Sequence, residues 1–193
     1  MPGDFIRVVL QVVGVLEELG VPYAIGGSLS SSAHGIMRAT MDADIIADLQ
    51  PEHIQPFLAA LSSDFYADEA TIRDAIYRRS SFNLIHYQTA FKVDIFIPKL
   101  RPFDQMQLIR RTPVVMGADP GQRVYLTSPE DIILAKLEWY RMGGEVSDRQ
   151  WQDVIGVLTV RADDLDLDYL HHWADQLGVR DLLERALAEA KFA

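Results

Sequence analysis

The residues of this chain best equipped for chemistry are Gly26-Gly27-Ser28 and the spaced carboxylates Asp42 and Asp44. The small residues let the backbone come close to a ligand such as a phosphate group. Residues 29–41 intervene, enough for about two helical turns and a return to an adjacent strand. The apolar run Ile45-Ile46-Ala47 follows the aspartates, so the order reads as turn, short helix and strand. Residues i and i+2 of a strand share a face, so Asp42 and Asp44 are expected to present their carboxylates together. Like charges that close repel unless a cation lies between them. Hard oxygen donors beside a phosphate site suit Mg²⁺, with Mn²⁺ as the alternative.

A third carboxylate is available further along. In the run 91–97, Phe91, Val93, Ile95 and Ile97 alternate with Lys92, Asp94 and Phe96, which removes Asp94 from the apolar face. It can point where Asp42 and Asp44 point if the two strands are neighbours in suitable register. Its alternative is an exposed strand residue pairing with the neighbours of Lys92. Arg38 either steadies a phosphate or pairs with an aspartate. His34 reads as a packed or capping histidine.

The elements that must position these groups are legible as periodicities. Residues 4–19 have helical spacing with Gly20 as a stop, 23–25 form a short strand, and 28–37 form a short helix whose amino end offers free N–H groups. A strand over 42–49, helices from Pro51 to about Leu61 and over 70–78, and strands 81–87 and 91–97 joined by a turn at 88–90 follow. From Ser128 the texture is helical. Ser128-Pro129-Glu130-Asp131 is a capped helix start, Gly143-Gly144 a stop and Ser147 a restart, with further helices over 167–177 and 179–190. The expected class is α+β, a mixed sheet flanked by helices over 1–127 followed by a helical lobe over 128–193. Trp139, Trp151 and Trp173 read as packing residues.

With those residues in view, Gly26-Gly27-Ser28, Asp42-Ala43-Asp44 and Asp94 resemble the signature of the polymerase-beta-type nucleotidyltransferase superfamily. The longer pattern through His34-Gly35, Arg38, Thr40, Asp42 and Asp44 resembles its bacterial AbiEii-like branch of abortive-infection toxins. Lys136, Arg149 and Asp153 are similar to that branch's lysine and Arg/Asp motifs. Gly156 and Val157 stand where a further aspartate is often found. The resemblance implies an enzyme with a nucleotidyltransferase core. Asp42, Asp44 and Asp94 would hold Mg²⁺, with Asp94 assisting the metal or deprotonating the nucleophile. Gly26, Gly27 and Ser28 would meet the phosphates, and Arg38, Lys136, Arg149 and Asp153 the nucleotide, with Lys136 also counted as catalytic beside Asp42, Asp44 and Asp94, meeting the triphosphate or the leaving group. A nucleoside monophosphate would pass from an NTP to an acceptor hydroxyl with release of pyrophosphate. The residues alone leave duller roles open: Lys136 snorkelling to solvent from an apolar helix face, and Arg149 with Asp153 as a helix-surface ion pair four residues apart.

Composition bounds the partners. The net charge is −10, from 28 acidic and 18 basic residues, which disfavours broad binding to nucleic-acid phosphates. Local basic groups, Arg73, Arg78 and Arg79 or Lys99, Arg101, Arg110 and Arg111, read as solvated surface. The chain has no cysteine, which excludes disulfides and thiolate chemistry. No apolar run approaches a membrane span, so a soluble cytoplasmic protein is expected. The acceptor is open among RNA, protein and small molecules, and an antitoxin-type protein partner is a possibility of the resemblance. Two rival readings are a catalytically silent nucleotide- or partner-binding member of the fold and a metal-dependent phosphohydrolase.

Overall fold

A computed structural model describes residues 2–36, 42–116 and 122–191. In chain order the elements are α1 (Pro2–Glu18), β1 (Tyr23–Ile25), α2 (Gly27–His34), β2 (Asp42–Ala47), a 3₁₀ turn (Pro51–His53), α3 (Ile54–Leu61), β3 (Phe65–Tyr66) and α4 (Glu69–Arg78). They continue with β4 (Ser81–His86), β5 (Lys92–Phe96), α5 (Pro102–Ile109), β6 (Thr112–Val115), β7 (Arg123–Leu126), α6 (Pro129–Met142), α7 (Asp148–Val160), α8 (Leu167–Leu177) and α9 (Arg180–Ala190). The chain divides into two compact units, Met1–Gly26 with Ala39–Leu126 and Gly27–Arg38 with Thr127–Ala193. The division differs from a contiguous split near residue 127, because α2 packs on α6 and α7 and so falls with the helical unit. No helix among the described residues is long and apolar enough to cross a membrane.

The first unit is built on a seven-stranded sheet in the order β3-β4-β5-β2-β1-β7-β6. It is mixed: β2 with β5 and β1 with β7 run parallel, and the other neighbours antiparallel. Strict alternation makes β4, β5 and β2 two-faced. Phe82, Leu84, Val93, Ile95, Ala43 and Ile45 are buried on one side, and Ser81, Asn83, Lys92, Asp94, Asp42 and Asp44 look the other way. Phe57 of α3 meets Phe82 of β4 edge-on with ring centroids 6.3 Å apart, which places α3 on the buried side. In α1, Phe5, Val8, Val9, Val12, Val13 and Leu16 are buried at helical spacing.

Four elements are not announced by periodicity. The β6–β7 hairpin has four-residue strands, and Pro113 interrupts the first; Pro is tolerated there because β6 is the sheet edge. β3 is only two residues long, and α5 is an eight-residue helix. The expected helix from Pro51 begins as a 3₁₀ turn before α3 takes over.

The helical unit follows its capping signals. Ser128 accepts from the Asp131 N–H at the start of α6, and Ser147 accepts from the Gln150 N–H at the start of α7. Gly35 is required by packing: a Cβ there would lie 2.7 Å from the Val157 nitrogen and 2.8 Å from the Gly156 carbonyl carbon on α7. Trp151 is buried against Tyr140, whereas Trp139 is 52% exposed, which corrects its reading as a packing residue. On α6 it lies off the side that buries Leu137 and Tyr140.

Candidate functional site

Register brings three candidate carboxylates onto one sheet face. β2 and β5 are parallel neighbours, with Asp44 opposite Asp94 and Asp42 opposite Lys92. Opposed residues of adjacent strands share a face, as do i and i+2, so Asp42, Asp44, Asp94 and Lys92 form one patch. Asp42 is exposed; Asp44 and Asp94 are half-buried. Directly below this layer, Ala43, Ile45, Val93 and Ile95 are buried in the core, which prevents a slip of register from turning the carboxylates inward.

Lys92 is the residue that motif reasoning passed over. Its Nζ lies 2.8 Å from Asp94 Oδ2. Its pKa is raised, first by the hydrogen bond to Asp94, with burial opposing the shift and the charges of Asp94, Asp42 and Asp44 adding to it. The ammonium therefore feels all three carboxylates. Its sequence signal was the same two-residue alternation that selected Asp94. Asn83 of β4 stands opposite Asp94 on the other side, on the same exposed face.

Gly26 is tied to this patch through the backbone, its N–H donating to the Asp44 carbonyl at 2.8 Å. Gly27 has φ of 52°, the left-handed region that favours glycine, and opens α2. Ser28 lies in the first turn of α2, where backbone N–H groups lack helical partners. The rest of α2 is engaged within the helical unit. Ser30 Oγ meets Thr127 Oγ1 at 2.7 Å, and His34 Nε2 meets the Thr127 carbonyl at 2.8 Å. His34 is buried, and that burial lowers its pKa. It is a packed histidine. Arg38 and Thr40 lie outside the described residues.

In the helical unit Lys136 of α6 donates to Asp153 Oδ2 of α7 at 2.8 Å, with side chains only 10% and 7% exposed. The packing of α6 on α7 thus keeps Lys136 from snorkelling and gives Asp153 a buried cation. Arg149 is exposed on α7. Surface arginines are paired locally, Arg73 with Glu69, Arg78 with Asp74 and Arg101 with Asp104.

Among the described residues no group of three or more His, Asp or Glu is placed to hold a metal ion. The donor set nonetheless suits Mg²⁺, which is usually held by one or two carboxylates and completes its shell with waters and substrate phosphates. Carboxylates i and i+2 on a strand supply such a pair in Asp42 and Asp44, while the neighbouring Asp94 is paired with Lys92.

No family model and no curated protein matches the sequence. Solved structures do match the fold. An antigenic nucleotidyltransferase-like protein from Paracoccidioides brasiliensis is 21% identical, with 96% of this chain and 93% of that chain covered at a TM-score of 0.57. ANT(2'')-Ia in complex with adenylyl-2''-tobramycin is 12% identical, with coverage of 91% and 97% and a TM-score of 0.59. The lincosamide antibiotic adenylyltransferase LnuA, lincomycin-bound, is 13% identical, with coverage of 80% and 96% and a TM-score of 0.52. These likenesses span most of the chain and show that it has the nucleotidyltransferase fold.

Proposed function

We propose that this protein is a nucleotidyltransferase that moves a nucleoside monophosphate from an NTP to an acceptor hydroxyl. The observation that carries the reading is the alignment of Asp44 with Asp94 on adjacent parallel strands, with Asp42 on the same face. Asp42, Asp44 and Asp94 are the groups that would hold Mg²⁺; when bound, the ion would neutralise phosphate charge and polarise the α-phosphoryl group. Gly27 and Ser28 offer N–H and hydroxyl donors to the β- and γ-phosphates, and Gly26, its own N–H taken by the Asp44 carbonyl, ties that turn to β2 without a side chain in the way of the phosphates. The acceptor oxygen forms a bond to the α-phosphorus as the bond to the bridging β-oxygen breaks. The hydroxyl proton passes to the Asp94 carboxylate and pyrophosphate leaves. Positioning and charge neutralisation supply most of the acceleration.

Arg38, Lys136, Arg149 and Asp153 enter the proposal as nucleotide-binding groups on the sequence resemblance. The AbiEii-like branch and an antitoxin-type partner rest on that resemblance too. A small-molecule alcohol is the acceptor class best supported, because two structural neighbours carry an antibiotic or its adenylyl conjugate and the net charge of −10 disfavours RNA.

The test is incubation of the purified protein with α-labelled NTPs, MgCl₂ and a panel of hydroxyl-bearing small molecules, including tobramycin and lincomycin. Label transfer with equimolar pyrophosphate is expected, and Asp42→Ala/Asp44→Ala should lower it by about 10³-fold. Full activity in that variant would refute the mechanism. Phosphate release without labelled acceptor would favour a phosphohydrolase, and NTP binding without turnover a silent member of the fold.

A further inference from the structure

The exposed sheet face carries its own cation. Lys92 begins β5 directly opposite Asp42, and its ammonium sits 2.8 Å from Asp94 Oδ2. The Lys92 side chain is 42% exposed and that of Asp94 20% exposed. An ion pair this open is weakly held, and a lysine stem has four rotatable carbons, so the ammonium can leave without disturbing the strand. A divalent cation drawn to Asp42, Asp44 and Asp94 must enter against that positive charge. Asp42 lies across the strand pair from the Lys92 Cα, and Asp44 across from the Asp94 Cα, so no place on this patch is far from the ammonium.

We propose that Lys92 is a resident counter-cation that holds Asp94 and competes with the divalent ion, thereby setting how tightly the ion binds. The inference rests on the metal-binding reading of Asp42, Asp44 and Asp94. Lys92 acts here as a positioning residue. Its ammonium relieves repulsion among the carboxylates when no metal is bound, and it withdraws from Asp94 when one is. The site exchanges one kind of cation for another.

Mg²⁺ binding to EDTA-treated protein, measured by titration calorimetry without nucleotide, tests this directly. Lys92→Met should bind Mg²⁺ about fivefold more tightly than wild type, the factor expected for removing one partly exposed like charge. Lys92→Gln should repeat the gain, and Lys92→Arg should return the affinity towards wild type. The apparent melting temperature of Lys92→Met should also rise more on adding MgCl₂ than that of wild type. Unchanged or weaker Mg²⁺ binding in both neutral variants overturns the inference. So does an arginine variant that behaves like methionine. If Asp42→Asn/Asp44→Asn abolishes Mg²⁺ binding while the Lys92 variants leave it unaltered, the inference alone fails. Absence of Mg²⁺ binding in wild type and every Lys92 variant overturns the metal reading and the inference with it.

Discussion

Two lysine–aspartate pairs of equal length occupy opposite environments in this protein. Lys92 and Asp94 meet at 2.8 Å on the open face of the sheet, where their side chains are 42% and 20% exposed. Lys136 and Asp153 meet at the same distance within the helical unit, at 10% and 7% exposed. Distance does not separate them; solvent does. Water competes for both members of the first pair and screens their attraction, so that pair can open at little cost. The second pair has traded its hydration for contacts within the protein, and removing one member would leave the other's charge buried without that contact. The same two residue types therefore make an exchangeable contact in one place and a fixed joint in the other.

The largest expected effect comes from breaking the buried pair. Lys136→Met should destabilise the protein by about 3 kcal/mol in denaturant unfolding, because Asp153 loses its cation in a site closed to water. Adding Asp153→Leu should recover much of that loss. A loss as small as that expected at the open pair would show that the two environments do not differ as described. Transfer activity of the double variant sharpens the comparison: retained transfer marks the pair as a structural joint, and lost transfer at restored stability puts one or both of Lys136 and Asp153 on the nucleotide.

His34 supplies a pH-dependent contrast in the same unit. Burial lowers its pKa from the ordinary 6.5, and its Nδ1 has no hydrogen-bond partner among the described residues. As pH falls through 6.5 the unfolded chain takes up a proton before the folded one, so this contribution is present above 6.5 and is lost towards the lower folded-state pKa. Unfolding free energy measured across that window should decline more steeply in wild type than in His34→Gln. Equal slopes would remove the histidine from the account. The smallest effect belongs to the open pair: Lys92→Ala in metal-free buffer should cost less than about 1 kcal/mol, and the cost should shrink as salt is added. A large, salt-insensitive loss would make Lys92 a second joint.

The candidate site was half legible without coordinates. Two-residue periodicity places Asp42 with Asp44 and Lys92 with Asp94, because strand geometry repeats locally. A pattern that singles out residues resembling a motif selects Asp94 and passes over Lys92, although both obey the same alternation. Trp139 shows the converse limit, since its type suggested packing and its place on α6 leaves it exposed.

What the sequence determined by itself are the features set within a few residues: the caps at Ser128 and Ser147, the two-faced strands, the glycine turn after β1 and the acidic surface. Their signals are local, so they survive without knowledge of neighbours. Only the tertiary structure decided that β2 pairs with β5 in the register setting Asp44 against Asp94. It also joined α2 to the helical unit through a glycine contact with α7, and gave Asp153 to Lys136 rather than leaving it at the surface. Those outcomes depend on which distant segments bury their apolar faces together, and burial is a property of the whole chain.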